Sequence, residues 1–399
     1  MKVLYILHAL STTEGSAKSF LNLLNSLMPL GIQPVVVCPN EGSMYQHLKG
    51  KNIPVYTCFF RFCVYPPFDE IRKNRLLFVP RLFGRVMANV IGTLQVCRIC
   101  RREKPDIIHT NVSVVDIGYH AARILHIPHI WHIREYGALD FNYYYYYYYR
   151  GQQLRRYRRH NSYTICITKD IQRYNNLENI NTARVIYDGV LSEKDLYYAP
   201  HKHPYFFFAG RIEPAKGVLY LLQAYATYCN KCIQPLPLYL AGKFTKATPN
   251  YVQECQKIVK DNNLQDKVIF LGEIQDVLSH YQEAQALIVP SLSEGFGFIT
   301  AEAMFSGCLV VGNDVAGTKE QFDNGKQITG EEIALRYTTQ EQLVQYLIDI
   351  TNAVHDGTFT AKYESMILRG QEVVKQLYTS EQHAKQVLQF YQDICSNNF

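Results

Sequence analysis

Two cationic residues, Arg211 and Lys216, stand five positions apart in the segment GRIEPAKG, residues 210–217. An apolar run at residues 205–209 predicts a strand before this segment, and residues 218–225 show a helical pattern after it. In α/β proteins, a glycine-flanked turn between a strand and a helix is a place where phosphates bind. The arginine offers a planar fork and the lysine a mobile charge to phosphate oxygens. The segment therefore predicts a diphosphate site, with surface ion pairs as the alternative.

Two glutamates, Glu294 and Glu302, belong to a second segment of this kind, PSLSEGFGFITAEAM at residues 290–304. It follows a predicted strand at residues 286–289, and its Gly-Phe-Gly loop leads into a short predicted helix. Backbone N–H groups at the start of a helix can bind an anion or the polar edge of a sugar. Because carboxylates repel phosphate, we expect both glutamates to accept hydrogen bonds from pairs of hydroxyl groups. The predicted ligand is a diphosphate flanked by two polyols, which is the shape of a nucleotide-activated sugar.

Strand-length apolar runs alternate with helix-length amphipathic stretches in both halves of the chain, as in parallel sheets built from βαβ units. The strands predicted in the first half are residues 2–8, 34–38, 54–58, 107–109, 129–132 and 163–167. The strands predicted in the second half are residues 205–209, 237–241, 268–271, 286–289 and 309–312. Residues 187–204 have little periodicity and predict the linker between the two series.

This pattern predicts an α/β protein with two domains. We expect an N-terminal domain at residues 1–195 and a C-terminal domain at residues 196–379. A helical pattern opened by a Ser-Glu pair predicts a crossover or docking helix in residues 380–399.

The composition of the chain excludes several classes of protein. It has 399 residues, of which 47% are hydrophobic and 19% are charged, so a fibrous or disordered polymer is excluded. No apolar run approaches the ~20 residues that cross a bilayer. Residues 1–200 contain 25 Lys and Arg against 14 Asp and Glu, whereas residues 201–399 contain 16 against 21. The basic first half suggests a membrane surface or nucleic acid as partner, with a solvated basic face as the alternative.

Aromatic and basic residues are concentrated in two segments of that first half. Seven consecutive tyrosines at residues 143–149 are followed by five arginines between residues 150 and 159. Tyrosine and arginine together suit a lipid headgroup region or a nucleic acid backbone. Residues 72–104 combine basic and large apolar residues, which suits an interfacial amphipathic segment. A helix with its apolar side buried in the domain is the alternative for this second segment.

Cysteine usage indicates a reducing compartment. The eleven cysteines form an odd set and most stand in apolar surroundings, so no disulfide framework is predicted. Two CxxC pairs begin at residues 97 and 229, too far apart for an evident zinc site, and we predict no metal. Residues 2–10 resemble a very short signal peptide, but His8 interrupts the run and a buried first strand explains it better. We therefore expect a cytoplasmic protein.

The paired glutamates and the Gly-Arg-x4-Lys-Gly segment resemble motifs of the family 4 (GT4) glycosyltransferases, which are retaining enzymes with the GT-B fold. The resemblance covers most of the chain and is densest from residue 205 to residue 320. It implies two Rossmann-like doubly wound domains that face each other across a cleft, the C-terminal one holding the nucleotide sugar and the N-terminal one the acceptor. It also implies that Arg211 and Lys216 bind the leaving diphosphate, Glu302 the ribose hydroxyls and Glu294 the transferred sugar.

The resemblance extends this donor site to further residues. His132 matches the strand-end histidine of the family that contacts the donor sugar, where a lone histidine would otherwise suggest a structural role. Gly15 and Ser16 match a small-residue turn near the phosphate and the acceptor, although the family commonly has paired glycines there. Asp188 stands where many members have asparagine, and Glu320 is similar to a loop residue near the donor sugar or to a cap. We also expect Gly210, Gly295, Phe296 and Gly297 of the two loops to bind the donor.

The implied activity is transfer of a hexosyl group, with retention, to a saccharide or lipid-linked saccharide in surface polysaccharide or glycan biosynthesis. Cations fixed at the leaving diphosphate lower the barrier. No Asp-x-Asp pair stands beside the predicted phosphate site, which agrees with metal independence in the family. We expect the phosphate itself to help deprotonate the acceptor hydroxyl. We also expect the protein to attach to the inner face of an anionic membrane through its basic first half.

Two other functions remain open at this point. A nucleotide-sugar epimerase on the same architecture would bind the donor without transferring the sugar. A nucleic-acid-binding protein is less favoured, because the acidic second half and the two glutamates would have no role in binding phosphates. A nicotinamide oxidoreductase is disfavoured, because the first predicted strand leads into a segment that lacks GxGxxG.

Overall fold

The computed structural model describes residues 1–8, 11–12, 15–65, 76–137, 144–145, 150–244 and 249–396. The chain divides into two compact units. Unit 1 consists of Met1–Gly189 and Ser380–Phe399, and unit 2 of Val190–Thr379. Each unit is built around its own sheet of parallel strands.

A parallel sheet forms the centre of unit 1. The strands of this sheet are β1 (Lys2–Ile6), β2 (Gln33–Cys38), β3 (Val55–Thr57), β5 (Ile107–Thr110), β6 (His129–Ile133), β8 (Ser162–Cys166) and β9 (Ala183–Val185). Two short strands outside it are β4 (Val64–Tyr65) and β7 (Tyr144–Tyr145). Over the described residues, the sheet has seven strands in the order β3-β2-β1-β5-β6-β8-β9. Strands β4 and β7 pair antiparallel outside it. The central strands are buried along almost their whole length, as expected for a parallel sheet with both faces covered.

Helices follow the strands of unit 1. They are α1 (Gly15–Leu27), α2 (Ser43–Gly50), α3 (Phe78–Glu103), α4 (Ile117–Leu125), α5 (Arg150–Tyr157) and α6 (Lys169–Tyr174). Helix α1 buries Phe20, Leu23, Leu24 and Leu27 against the residues of β1 and β2. This spacing of three and four residues places the apolar side chains on one helical face.

Unit 2 repeats this arrangement with a six-stranded sheet in its described residues. The strands are β10 (His203–Ala209), β11 (Leu238–Ala241), β12 (Val268–Gly272), β13 (Ala284–Val289), β14 (Leu309–Asn313) and β15 (Leu335–Tyr337), in the order β12-β11-β10-β13-β14-β15. The helices are α7 (Val218–Lys231), α8 (Pro249–Asp261), α9 (Val277–Glu283), α10 (Phe298–Phe305), α11 (Ala316–Thr329), α12 (Gln340–His355) and α13 (Phe359–Leu377). Every neighbouring pair of strands in this sheet is parallel.

The last helix, α14 (Ser380–Cys395), belongs to unit 1. Its residues Val387, Phe390 and Tyr391 are fully buried in the same core as β1 and α1. Unit 1 is therefore completed by a segment from the far end of the chain.

The strand order of unit 2 reverses between β10 and β13, which lie side by side although two strands separate them in sequence. In open α/β sheets, ligands bind beyond the carboxyl ends of the strands at such a switch point. The loops that leave β10 and β13 begin at Gly210 and Pro290, so the two segments with predicted chemistry meet at this edge. Neighbouring parallel strands end at the same edge of a sheet, which makes this meeting a consequence of the topology.

The predicted α/β fold with two parallel sheets is confirmed. Each strand predicted from an apolar run has a counterpart, with bounds that differ by a few residues; β1, for example, ends at Ile6 instead of residue 8. The sequence interpretation missed the three-residue edge strands β9 and β15 and the short pair β4 and β7. Strands this short contain too few residues to show a periodicity. Among the described residues, no helix has both the length and the apolar character that a membrane crossing requires.

Gly217 offers a direct test of the packing between the two loops of unit 2. Its φ is +66°, and a Cβ atom there would lie 2.0 Å from the Pro290 carbonyl oxygen. Gly330 has a φ of +79° and open space around it. We expect Gly330→Ala to cost about 1–2 kcal/mol, the ordinary penalty of the left-handed conformation. Gly217→Ala should cost several times more, measured by urea unfolding, and equal losses would contradict the close packing of Gly217 on Pro290.

Candidate functional site

The loops after β10 and β13 contact each other at the switch point of unit 2. Pro214–Lys216 form one 3-10 turn that begins with proline, and Gly217 ends it and starts α7. The backbone N–H of Leu292 donates to the Ala215 carbonyl at 2.9 Å. This hydrogen bond fixes the first loop against the second.

Lys216 and Glu294 form an ion pair across these loops. Lys216 Nζ lies 2.6 Å from Glu294 Oε1, and the side chains are 21% and 11% exposed. The buried Ser291 hydroxyl donates to the same carboxylate oxygen at 2.7 Å. Asn313 Nδ2 in turn donates to the Ser291 carbonyl at 3.1 Å. Two residues predicted to bind different parts of one ligand are thus brought together and oriented by a chain of hydrogen bonds.

Arg211 is the more exposed of the two predicted phosphate-binding cations. Its Nη2 lies 2.9 Å from Glu213 Oε1, and its side chain is 57% exposed. Both cations therefore form ion pairs with carboxylates here, which is the alternative that the sequence left open. Because exposed pairs contribute at most about 1 kcal/mol, an anionic ligand could replace Glu213 at the exposed Arg211 guanidinium at small cost.

Glu302 lies on α10 and is held by Tyr281 of α9. Tyr281 Oη donates to Glu302 Oε2 at 3.2 Å, and the tyrosine side chain is fully buried. Burial, and next the nearby Glu302 carboxylate, raise the pKa of Tyr281 well above its usual value. The hydroxyl therefore stays protonated as a donor and fixes one carboxylate oxygen.

The Gly-Phe-Gly loop is positioned by α11. The Gly317 N–H donates to the Glu294 carbonyl at 2.9 Å. Gln321 Nε2 donates to the carbonyls of Phe296 and Gly297 at 2.6 and 3.0 Å. The Phe296 ring is buried and packs edge-on against Phe298 and Tyr378, so this residue can face a ligand only through its backbone.

Glycines at positive φ shape both ends of this site. Gly297 caps α10 with a φ of +90°. Gly210 lies directly after β10, and its N–H donates to the Ala241 carbonyl at 2.9 Å. Gly295 stands beside Glu294, and Glu320 is a buried residue of α11.

Three predicted site residues lie in unit 1. Gly15 and Ser16 open α1, at the carboxyl end of the unit 1 sheet. His132 lies near the end of β6 and has no exposed surface. The other eight predicted residues lie in unit 2. Among these predicted residues the structure brings Lys216 and Glu294 into contact. The predicted contact of His132 with a sugar stays a prediction.

A buried polar cluster surrounds His132. Asp188 accepts hydrogen bonds from Ser19 Oγ at 2.8 Å and from Arg134 Nη1. Arg134 Nη1 also donates to Ser19 Oγ at 3.0 Å, and Nη2 to Asn111 Oδ1 at 3.2 Å. Burying one charge without its partner would cost several kcal/mol, so the ion pair of Arg134 with Asp188 holds these segments together.

Sequence reasoning missed most of this cluster. Asp188 was singled out only as a departure from a family motif, while Arg134 and Ser19 carried no assignment. A signal existed at Arg134, because an arginine that follows a buried strand by one residue requires an anionic or polar partner. The partner, Asp188, lies 54 residues away in sequence, and spacing alone does not identify it.

Comparison with known proteins agrees with the geometry of both units. The family model for glycosyl transferases group 1 matches residues 194–355, and that for glycosyltransferase family 4 matches residues 13–194. The uncharacterized glycosyltransferase MJ1178 of Methanocaldococcus jannaschii is 26% identical over 296 residues, covering 72% of this chain and 80% of that protein. The O-antigen chain mannosyltransferase RfbU of Salmonella typhimurium is 25% identical over 182 residues, covering 45% of this chain and 48% of RfbU.

Solved structures share the architecture over the whole chain. Anabaena Alr3699/HepE in complex with UDP superposes with a TM-score of 0.76 at 17% identity, covering 98% of this chain and 100% of that one. WaaG, a glycosyltransferase involved in lipopolysaccharide biosynthesis, superposes with a TM-score of 0.64 at 12% identity, covering 99% of both chains. The fold is therefore that of the GT-B glycosyltransferases.

Both halves of the chain match glycosyltransferase models, and the fold agrees with them. The chain belongs to the family 4 (group 1) glycosyltransferases. The relatives named above are glycosyltransferases, so the comparisons give the epimerase alternative no support.

The buried histidines of unit 1 predict a loss of stability in mild acid. Burial lowers the pKa of His383 to about 4 and of His129 to about 3, and it holds those of His109 and His132 well below the usual value. Below pH ~6.5 the unfolded chain therefore binds protons that the folded chain does not. Each histidine should remove about 1.4 kcal/mol per pH unit between pH 6.5 and 5.

Urea unfolding at several pH values measures this effect. His129→Gln should reduce the slope by about one proton, as the linkage relation requires. A free energy of unfolding that is constant from pH 7 to 5 would contradict the neutral, buried state of these histidines.

Proposed function

We propose that the protein is a retaining, metal-independent hexosyltransferase that moves a sugar from a nucleoside-diphosphate sugar to a saccharide or lipid-linked saccharide. The observation that carries this proposal is the pairing of Lys216 with Glu294 at the switch point of unit 2. A cation for phosphate and a carboxylate for hydroxyl groups stand there in contact, at the place where α/β sheets bind nucleotides.

The donor is placed by the charges of the two loops. Arg211 and Lys216 bind the diphosphate, each exchanging a carboxylate partner for phosphate oxygens. Glu302, held by Tyr281, accepts hydrogen bonds from the ribose hydroxyls. Glu294, released from Lys216 but still bound by Ser291, accepts from the hydroxyls of the transferred sugar.

Transition-state charge explains why this arrangement accelerates transfer. When the bond between the anomeric carbon and phosphate breaks, negative charge develops on the diphosphate and positive charge on the sugar ring. Fixed cations at the leaving group and a carboxylate near the ring stabilise both charges. The leaving phosphate takes the proton of the acceptor hydroxyl on the face that it has just left, which retains the configuration and requires no protein base.

Similar proteins support the proposed substrate class. Crystal structures of the structurally similar Anabaena Alr3699/HepE are complexes with UDP, with UDP and glucose, and with UDP-glucose. RfbU is named an O-antigen chain mannosyltransferase, and LpsB of Rhizobium meliloti, 32% identical over 95 residues, a lipopolysaccharide core biosynthesis mannosyltransferase. The chain spans about half of RfbU and a quarter of LpsB. We propose a role in surface polysaccharide or glycan synthesis on this basis.

A panel of nucleoside diphosphates and their sugars tests the donor. A bound ligand raises the melting temperature by mass action, so the correct nucleotide should be identified by thermal shift before any acceptor is known. Transfer is then measured with that donor and saccharide acceptors. A protein that no nucleoside diphosphate or nucleotide sugar stabilises would contradict the proposed donor class.

Lys216→Ala should lower transfer by about 100-fold or more, because the developing charge on the diphosphate loses a fixed partner. Lys326 is the matched control, since its ion pair with Glu332, at 2.7 Å, lies on the surface of unit 2. Lys326→Ala should leave transfer unchanged, and the melting temperatures of both variants should stay close to that of the wild type. Normal turnover of Lys216→Ala would remove Lys216 from the diphosphate site.

We further propose that unit 1 binds the cytoplasmic face of an anionic membrane through α3. Val79, Phe83, Val90 and Leu94 recur at spacings of four and seven residues on this helix and are 71%, 68%, 47% and 61% exposed. Such an exposed apolar stripe on a 26-residue helix is typical of a docking surface.

Basic residues near the stripe support a lipid surface as the proposed partner. Arg85 Nη1 donates to the Phe62 carbonyl at 2.7 Å, and the Arg61 guanidinium lies 5.5 Å from the centroid of the Phe59 ring. Phe59 and Phe62 are themselves 51% and 41% exposed. At a membrane surface, apolar side chains contact the outer part of the acyl chains, and cations bind the anionic headgroups. The exposed apolar residues and the arginines beside them are therefore complementary to such a surface. The basic residues at positions 72–75 and most of the tyrosine run lie outside the described residues.

Sedimentation with vesicles tests this surface. The wild type should pellet with anionic vesicles at low ionic strength and be released by salt, since the charge contribution is screened. Phe83→Glu should lower the partition coefficient about tenfold or more, because burying a Phe side chain is worth about 1.5–3 kcal/mol. Ile233→Glu, at a 98% exposed position of unit 2, should have no effect. A wild-type protein that never pellets would contradict the proposal and favour a soluble acceptor.

A further inference from the structure

The face of the unit 1 sheet beneath α5 is polar. Because β6 and β8 pair in register and alternate residues of a strand point the same way, four buried side chains share this face: His129, Trp131, Ser162 and Thr164. Each of the four has a ring nitrogen or a hydroxyl oxygen without a hydrogen-bond partner among the described residues. Buried polar groups in folded proteins are almost always hydrogen-bonded, so these atoms lack partners that a stable interior would supply.

Helix α5 covers this face with little apolar surface. Of its residues from position 151 to position 157, only Gln153 and Tyr157 are buried. The centroid of the Tyr157 ring lies 5.5 Å from that of Trp131, so this residue supplies an apolar contact. Gln153, one turn earlier on the same side of the helix, adds an amide whose oxygen and nitrogen both lack a partner in the described part of the chain. Unpaired buried polar groups are destabilising, so they weaken the attachment of α5 to the sheet.

An ion pair ties α5 to the segment before α4. Arg156 Nη1 lies 3.2 Å from Asp116 Oδ2, and the Asp116 side chain is buried whereas that of Arg156 is 20% exposed. Asn89 Nδ2 of α3 donates to the other oxygen, Asp116 Oδ1, at 3.0 Å. The Asp116 carboxylate therefore keeps a hydrogen-bond donor when Arg156 leaves. A second anion that reaches Arg156 from solvent would compete with Asp116 for it.

Arginines are concentrated on the outer side of α5 and directly after it. Arg155, Arg158 and Arg159 are exposed, and residues 150–160 contain no carboxylate. This charge is complementary to an anionic lipid surface, whose headgroups can bind the guanidinium groups. Asn89 lies on α3, the helix that the proposed membrane contact places on such a surface. The anchor of α5 at Asp116 is thus directly bonded to the proposed membrane-binding helix.

We propose that α5 is a movable cover that leaves the sheet when unit 1 binds an anionic membrane. On release, its arginines contact the headgroups, and water reaches the unpaired polar atoms of β6 and β8. This inference rests on the membrane binding proposed above and adds a change of structure to it. Because the membrane stabilises the released state, any change that stabilises the closed state must oppose the release.

Hydrogen exchange of the full-length protein measures how firmly α5 is attached in solution. Gln153→Leu should raise the protection of the α5 amides about tenfold, because it replaces an unpaired buried amide with an apolar group of similar size. Gln152→Leu is the matched control, since it makes the same change at the neighbouring exposed position and should leave the protection unchanged. Equal protection of α5 in Gln153→Leu and in the wild type would overturn the weak attachment.

Fluorescence reads the release directly, because Trp131 is the single tryptophan of the chain and lies beneath α5. At low ionic strength, anionic vesicles should shift its emission to longer wavelength and increase its quenching by acrylamide. Neutral vesicles should do neither, and salt should reverse both changes. Gln153→Leu should reduce the changes, since it stabilises the closed state.

The readouts separate this inference from the proposed membrane contact. A protein that pellets with anionic vesicles while the emission and quenching of Trp131 stay constant overturns the release of α5, and the membrane surface of α3 stands. If the wild type never pellets, the membrane contact fails and the release on a membrane fails with it. The exchange experiment still decides in that case whether Gln153 weakens the attachment of α5.

Discussion

The parallel pairing of β10 with β13 is the constraint on which the candidate site of unit 2 depends. Phe206 and Phe207 are in register with Ala286 and Leu287, so both strands end at the same edge of the sheet. Their loops must then leave side by side, and the Leu292 N–H to Ala215 carbonyl bond joins them. The contact between Lys216 and Glu294, 78 residues apart in sequence, is a result of this pairing.

Burial distinguishes the ion pair of Lys216 with Glu294 from that of Arg134 with Asp188. Lys216 and Glu294 retain some exposed surface, so a ligand can reach their ion pair, and the proposed phosphate would compete with Glu294 for the lysine. The pair of Arg134 with Asp188 is buried, and removing either partner would leave an uncompensated charge at a cost of about 3–5 kcal/mol. The first pair is therefore suited to exchange with a ligand, whereas the second holds unit 1 together.

The polar interior of unit 1 also accounts for the return of the chain end to this unit. Tyr391 and His383 of α14 are hydrogen-bonded to His109 and to the Gly189 backbone. Without α14 these buried polar groups would lose their partners, and an unsatisfied buried group costs about 1–3 kcal/mol. The apolar face of the same helix completes the core beside α1. One helix thus closes the hydrophobic core and supplies hydrogen-bond partners to buried polar groups of unit 1.

The sequence by itself predicted the α/β class, both parallel sheets and the two loop segments of unit 2. These follow from local signals, because buried parallel strands are continuous apolar runs and phosphate-binding turns need glycine beside cations. Sequence also predicted Lys216 and Glu294 as functional, but as groups that bind different parts of a ligand. Their contact with each other depends on the register of two strands that are distant in sequence.

Only the tertiary structure decided the surroundings of His132. Its partners come from β5, from the residue after β6 and from the segment after β9, and α14 completes the cluster. No spacing in the sequence encodes such a cluster, because each residue taken alone is an ordinary polar residue near a strand end or on a helix. The physical reason is that hydrogen-bond polarity is a property of pairs of groups, and the pairs exist only after the sheet and α14 have packed.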